Sequence, residues 1–253
     1  MTRLRSEDGF TIMEVLMAAV IGFIVLAGTL GLLESSLRLN SGVMAKTDAM
    51  QRGRLALDVV TQQLRSQVCL DGSTFADDIP VSAIVATSND TSVTFYLDFT
   101  FTGQRPMRRT LTFDPATKTI RTTTYEATKD RPAPGDFTVA PTNTNVVLEN
   151  VVPQKRTDGT DVPFIRYYAY TLVSGRPRAE LLLPTPLVQS DADRVARIDI
   201  NFLALPTRST DRRQGVNLAD QVMARHSDPN AFVFNNLTGD YTAAPDPFCL
   251  GHL

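Results

Sequence analysis

The chain has 253 residues, of which 43% are hydrophobic and 21% charged, and its formal net charge is −2. This composition is typical of a folded protein with one sizeable domain or two small ones, and it argues against a disordered chain. A general nucleic-acid-binding protein is usually basic, so the charge also argues against that class. Trp is absent and only two Cys and two His occur, which leaves few residues for metal or nucleophilic chemistry.

The first pattern along the chain is an uncharged apolar run, residues 15–33, behind a short polar leader. Its nineteen residues are long enough to cross a bilayer, which takes roughly 20 apolar residues at about 1.5 Å each. One carboxylate, Glu14, lies at the start of the run, where an unpaired charge costs a few kcal/mol. Arg3 and Arg5 favour a cytoplasmic amino end, which would place the rest of the chain on the outer side.

The leader differs from an ordinary secretory signal, whose apolar core of about 7–15 residues is followed by a small-residue cleavage site. Here the apolar run is longer, and the small residue, Gly9, comes before it. Cleavage at Gly9 would therefore remove the leader and keep the membrane helix.

Helical periodicity continues beyond the apolar run. Residues 34–68 contain no proline, and apolar side chains recur there at helical spacing, namely Val43, Met50, Leu57, Val60, Leu64 and Val68. We therefore predict a nearly unbroken helix from Phe10 to about Val68, apolar all round in its first half and amphipathic in its second. Glycines such as Gly53 weaken this helix, and residues 40–42 are its expected bend.

Beyond turn residues 69–73 the periodicity changes to two, which predicts strands. The predicted strands are 81–86, 93–101, 109–113, 119–125, 146–152, 164–172, 179–183 and 195–203. Residues 114–118 join two of them as a hairpin. Residues 218–226 are ambiguous between helix and strand, and 227–253 are expected to loop across the surface.

Short connections without long helical patterns predict a largely antiparallel sheet. The predicted fold class is therefore α+β, in which a long amino-terminal α-helix packs on an antiparallel β-sheet domain.

The segment Gly9-Phe10-Thr11-Ile12-Met13-Glu14-Val15 resembles the processing motif of type IV prepilins and type II secretion pseudopilins. That motif consists of a short charged leader, Gly, Phe, a Thr with two apolar residues, Glu and a long apolar helix. The chain length and the strands after the helix resemble the larger minor subunits of these families.

The resemblance implies that a prepilin peptidase cuts between Gly9 and Phe10 and methylates the new amino group of Phe10. It also implies that Glu14 neutralises the amino-terminal charge of a neighbouring subunit, an arrangement that would give a buried carboxylate the partner it needs. A plain signal anchor with Glu14 at the membrane interface is the alternative, but it leaves Gly9-Phe10 unexplained.

The implied domain organisation is a leader at 1–9, a transmembrane helix at 10–33, its amphipathic continuation at 34–70 and an extracytoplasmic β-rich domain at 71–253. The expected partners are the peptidase, other pilin or pseudopilin subunits and the inner-membrane assembly platform. The expected location is the inner membrane, as a single-pass protein with a cytoplasmic amino end, and then an extracytoplasmic filament.

Cys69 and Cys249 would both lie outside the membrane, where thiols can oxidise. A disulfide between them would tie the end of the long helix to the carboxyl-terminal tail. It would close a loop of about 180 residues, worth about 4–5 kcal/mol in the chain-entropy model. We expect this disulfide; two separate free thiols are the alternative.

Metal sites are not expected. Cys249-Leu250-Gly251-His252 offers half of a zinc site, but only His226 and Cys69 remain for the second half. The acidic groups at 71–78 and 158–161 lack a twelve-residue calcium loop and are interpreted as solvated turns. We predict neither a metal nor another cofactor.

Arg208, Arg212 and Arg213 could contact DNA, but Asp211 lies among them, so a solvated loop is favoured over nucleic-acid binding. His226 and His252 accompany no nucleophile motif such as Gly-x-Ser-x-Gly, and we expect no enzyme activity. The leading hypothesis is a minor pilin or pseudopilin of a type IV pilus or type II secretion-like filament. The alternative is a pilin-like binding module that recognises DNA, a surface or an exported protein at the filament tip.

Overall fold

The computed structural model describes residues 11–70, 82–97, 105–129, 132–174, 176–207, 209–224, 232–235 and 240–243. The chain divides into two compact units, Met1–Ala45 and Lys46–Leu253. One helix, α1 (Ile12–Arg65), has residues in both.

Helix α1 is helical through the predicted bend at residues 40–42. At its end, Ser66 N–H donates to the carbonyls of Gln62 and Gln63. Two residues later, Val68 N–H donates to the carbonyl of Tyr96, in the first strand, at 3.0 Å. The chain thus passes directly from helical to sheet hydrogen bonding. Phe10, where the predicted helix starts, lies outside the described residues.

A four-stranded antiparallel sheet, sheet 1, follows the order β1-β2-β3-β4. Its strands are β1 (Ser92–Leu97), β2 (Met107–Asp114), β3 (Thr119–Glu126) and β4 (Asn143–Glu149). The predicted hairpin at 114–118 is confirmed, because β2 and β3 pair across it. Asp114 closes that turn by accepting hydrogen bonds from the amides of Ala116 and Thr117.

The second sheet, sheet 2, has the order β5-β8-β6-β7, and β9 also pairs with β8. Its strands are β5 (Val151–Val152), β6 (Ile165–Val173), β7 (Arg176–Leu182), β8 (Val195–Ala204) and β9 (Val216–Met223). All its pairings are antiparallel. A short helix α2 (Gln189–Ala192) precedes β8, and a 3-10 turn at Arg212–Gln214 precedes β9.

Several predicted strands need correction. The predicted strand 146–152 is two strands, because Asn150 adopts a positive φ of 58° and sends β4 into sheet 1 and β5 into sheet 2. The described part of the predicted strand 81–86 forms only an isolated bridge, Ile84 to Phe95. The ambiguous segment 218–226 is largely strand β9. Within the predicted carboxyl-terminal loop, β10 (Phe232–Asn235) and β11 (Asp240–Ala243) pair as a hairpin.

The main core lies between the carboxyl-terminal part of α1 and both sheets. Leu57, Val60 and Leu64 are buried with apolar side chains from each sheet, among them Phe95, Ile120, Tyr167, Ile198 and Phe202. The α+β prediction, a long helix packed on antiparallel sheets, is therefore confirmed.

The predicted apolar stripe of α1 is only partly correct. Leu57, Val60 and Leu64 are buried, but Val43 and Met50 are exposed. The remaining buried positions are Thr61 and three small residues, Ala49, Gly53 and Ala56. A Cβ on Gly53 would lie 2.2 Å from Leu218 Cδ1 of β9, so the glycine permits close approach of helix and sheet.

Candidate functional site

The candidate functional site is the amino-terminal end of α1. Gly9 and Phe10, the predicted cleavage residues, lie outside the described residues, which start at Thr11. Thr11 N–H donates to Glu14 Oε2 at 3.0 Å, and Thr11 Oγ1 donates to the same oxygen at 3.1 Å. Glu14 N–H donates in return to Thr11 Oγ1 at 3.3 Å.

This reciprocal arrangement is a capping box, in which the residue before the helix and the third helical residue satisfy each other's backbone donors. Its signal, Thr-x-x-Glu before an apolar run, is present in the sequence, but Glu14 is interpreted from the sequence as half of an intermolecular pair or as an interfacial charge, not as a helix cap. Unsatisfied donors would be especially costly at the end of a helix in an apolar medium. Thr11 and Glu14 therefore stabilise the start of α1 within one chain.

The capping box also fixes where the Glu14 carboxylate lies. Oε2 accepts the amide hydrogen of Thr11, the residue next to Phe10 in the chain. The carboxylate is thus held at the positive end of the helix dipole, where an anion is favoured. It lies at the helix end where peptidase cleavage would create a new amino group.

The apolar side chains that follow are uncovered. Every residue from 12 to 41 is exposed, including Phe23 and Leu32 with 75% and 74% of their surface accessible. Helix α1 contains a stretch long and apolar enough to span a membrane. So large an apolar surface is too costly to leave in water and needs lipid or other helices to cover it.

The candidate calcium turn is occupied by internal contacts. Asp158 accepts hydrogen bonds from Thr160 Oγ1 at 2.6 Å and from its amide at 2.9 Å, which lower the pKa of the Asp158 carboxyl. Asp161 forms an ion pair with Lys155 at 3.2 Å. Asp71, Asp77 and Asp78 lie outside the described residues. Across the described part of the chain, no group of three or more His, Cys, Asp or Glu is placed to hold a metal ion.

Part of the loop after β8 is held by local hydrogen bonds. Arg212 donates to the carbonyl of Pro153, and Asp211 accepts the amide hydrogen of Arg213 at 2.9 Å to cap the 3-10 turn. Arg208 lies outside the described residues. Asp211 and Arg212 therefore have local structural roles.

Cys69 follows the end of α1 and is disulfide-bonded. Cys249, His226 and His252 lie outside the described residues, so the pairing of Cys69 with Cys249 stays a prediction.

The sequence analysis missed an ion pair in β8. Asp199 and Asn201 alternate with apolar residues, which suggests a solvent-facing side, yet both are more than nine-tenths buried. Arg197 Nε lies 2.9 Å from Asp199 Oδ1, and the Arg197 guanidinium stacks 4.0 Å from the centre of the Tyr168 ring. Arg197 thus links Asp199 of its own strand to Tyr168 of the neighbouring strand β6, and these neighbours could not be read from strand periodicity.

No family model and no curated protein matches the chain. The chemistry of the amino-terminal end and the exposed apolar helix are therefore the features that bear on function.

Proposed function

We propose that this chain is a minor pilin or pseudopilin subunit, assembled through its amino-terminal helix into a type IV pilus or type II secretion-like filament. One observation carries the proposal. Glu14, whose carboxylate caps the helix, lies at the start of the exposed apolar stretch of α1 and four residues after Phe10 in the sequence. In this proposal the peptidase cuts between Gly9 and Phe10 and methylates the new amino group.

Charge balance supports the role of Glu14. Cleavage creates a positive amino group four residues before Glu14, and neither charge is stable alone in an apolar surrounding. In helices staggered along a filament, the carboxylate of one subunit meets the amino group of the next. Among the described residues, the capping box engages Oε2, and Oε1 is the oxygen that we assign to this contact. Glu14 thus accepts hydrogen bonds from Thr11 before assembly and also pairs with the amino group of a neighbouring subunit after it.

The exposed helix supports the same conclusion. Before assembly, lipid covers the apolar side chains of residues 12–33, and the subunit is a single-pass inner-membrane protein with a cytoplasmic amino end. In the filament, helices of neighbouring subunits replace the lipid. The partners are then the peptidase, the other subunits and the assembly platform.

The alternative, a pilin-like module that recognises DNA, a surface or an exported protein, shares this architecture. The described part of the loop after β8 does not favour DNA, because Arg212 is bonded to the backbone and Asp211 lies beside it.

The test is incorporation of Glu14→Ala into filaments sheared from cells of the source organism. We expect processing at Gly9 to continue, because the cleavage residues are intact, and incorporation to fall at least tenfold. Glu34→Ala is the matched control, since Glu34 lies on the same helix, is exposed and pairs only with Arg38 four residues away. Normal incorporation of Glu14→Ala would refute the pairing.

A further inference from the structure

A groove lies between α1 and the edge of sheet 1. It is lined by α1 from Arg52 to Val59 and by β4 from Val146 to Glu149, and its volume is about 360 Å³. Leu55 and Val146 in this lining have 66% and 48% of their surface exposed, and Val59 is also exposed. The groove is therefore an apolar surface that the described chain leaves open.

Strand β4 forms one wall of the groove and is an edge strand. It pairs only with β3 among the residues that the structure describes. The opposite edge of sheet 1 is covered, because β1 bonds the segments that contain Val68 and Val85. An unpaired edge offers a row of backbone donors and acceptors to another strand.

The edges of sheet 2 carry the residues that normally prevent such pairing. β7 contains Arg176, Pro177, Arg178 and Glu180, and β9 contains Asp220. Charges and proline on an edge strand disfavour the addition of another strand. Residues 143–148 of β4 contain neither a charge nor a proline, so β4 is the least protected of these edges, although a bulge at Val147 interrupts its pairing with β3.

Two charged side chains, Arg52 and Glu149, line the groove. Arg52 is engaged, because it forms an ion pair with Asp48 at 3.2 Å and donates to Leu205 O at 2.9 Å. Glu149 is exposed and forms no ion pair or side-chain hydrogen bond within the described part of the chain. The groove therefore offers one uncompensated negative charge, which complements a basic side chain.

We propose that β4 and this groove bind an extended segment of another protein as a fifth strand of sheet 1. The segment supplies backbone hydrogen bonds to β4, aliphatic side chains at alternate positions to the groove and a Lys or Arg opposite Glu149. Strand addition of this kind takes its affinity from the backbone and its specificity from alternate side chains. The inference goes beyond the proposed function and does not depend on the fate of the amino-terminal helix.

The experiment uses the full chain in detergent micelles and a fluorescent, acetylated eight-residue peptide of alternating Thr and Val that ends in Lys. Binding is measured by anisotropy, and amide hydrogen exchange identifies the strand that becomes protected. We expect the peptide with Ser in place of Val to bind at least tenfold more weakly. Protection should appear at residues 143–149 and not in β7.

Two variants test the contacts. Val146→Lys should weaken binding of the Val peptide at least tenfold, because it places a charge in the groove. Glu149→Lys should reverse a preference of a few-fold for the Lys peptide over one that ends in Glu. Val139→Lys is the control for added charge, because Val139 is 98% exposed, lies outside the groove lining and should leave binding unchanged.

Three binding results would each overturn the proposal. They are failure of the Val peptide to bind at millimolar concentration, equally tight binding of that peptide by the Val146→Lys variant, and protection of β7 instead of β4. A dimer of the chain that forms through β4 and excludes the peptide would also overturn it, because the occupant would then be a second copy.

Discussion

The two parts of helix α1 differ in what covers their apolar side chains. Residues 12–41 are exposed throughout, although most of them are apolar. Between residues 49 and 64, seven residues are buried, and three of these are Ala or Gly. One helix thus has a part that the rest of the protein covers and an exposed part that contains a stretch long and apolar enough to span a membrane.

The comparison shows that composition already separates the two parts, because residues 15–33 carry no charge whereas the second part is amphipathic. Composition does not show which residues of the second part become buried. Their burial depends on the sheets that lie against the helix, which is a long-range property.

The largest expected effect is loss of the disulfide that follows α1. Cys69→Ser with Cys249→Ser should lower the free energy of unfolding of the second unit by about 4 kcal/mol, because the unfolded chain regains the entropy of a long loop. Chemical denaturation of the oxidised protein and the double variant measures this difference. Non-reducing peptide mapping should link Cys69 to Cys249, and free thiols in freshly isolated protein would contradict the pairing.

Leucine truncation compares the two parts of α1 directly. Leu64 is 1% exposed in the main core, so Leu64→Ala should destabilise the second unit by about 2–5 kcal/mol. Leu33→Ala removes the same atoms from a side chain that is 57% exposed, and it should leave the unfolding of that unit unchanged. Similar unfolding midpoints for the two variants would show that the second part of α1 does not pack as described.

Substitution of one glycine in each part of α1 makes the same comparison, with a smaller expected change in stability. Gly53→Ala places a Cβ 2.2 Å from Leu218 Cδ1 and 3.0 Å from Ala204 Cβ. Overpacking of this kind costs about 1–3 kcal/mol, partly offset by roughly 1 kcal/mol of improved helix propensity. Gly28→Ala meets nothing within 4 Å, so its thermal unfolding should match that of the parent chain. A Gly53→Ala variant more stable than the parent would contradict the close approach.

Sequence periodicity predicted strands 93–101 and 195–203, in which apolar residues recur at every second position. The alternating apolar residues are buried in the described parts of both, namely Val93, Phe95 and Leu97 in β1 and Ile198, Ile200 and Phe202 in β8. The other face of β8 is buried as well. The alternation reports one buried face directly, so such strands are readable from a single sequence. The predicted helix agrees with α1 over its described length.

Other features depended on neighbours that are remote in sequence. The change of sheet at Asn150 needs only one left-handed residue, which Asn tolerates better than most residues. Glu149-Asn150 can therefore be read as a break, but not as a change from one sheet to another. The role of Gly53 depends on Leu218, which is 165 positions away in the chain. The capping box at Thr11 and Glu14, by contrast, depends on residues only three positions apart, so its Thr-x-x-Glu spacing is sufficient to predict it from sequence.

The mass of the mature amino terminus tests the central claim most directly. In cells with an active prepilin peptidase, membrane-bound protein should begin at N-methylated Phe10, which leaves Glu14 as the fifth residue. Intact-mass and peptide analysis should detect this terminus and no residues of the leader. A protein that retains residues 1–9 in such membranes would contradict the proposal that α1 is processed for filament assembly.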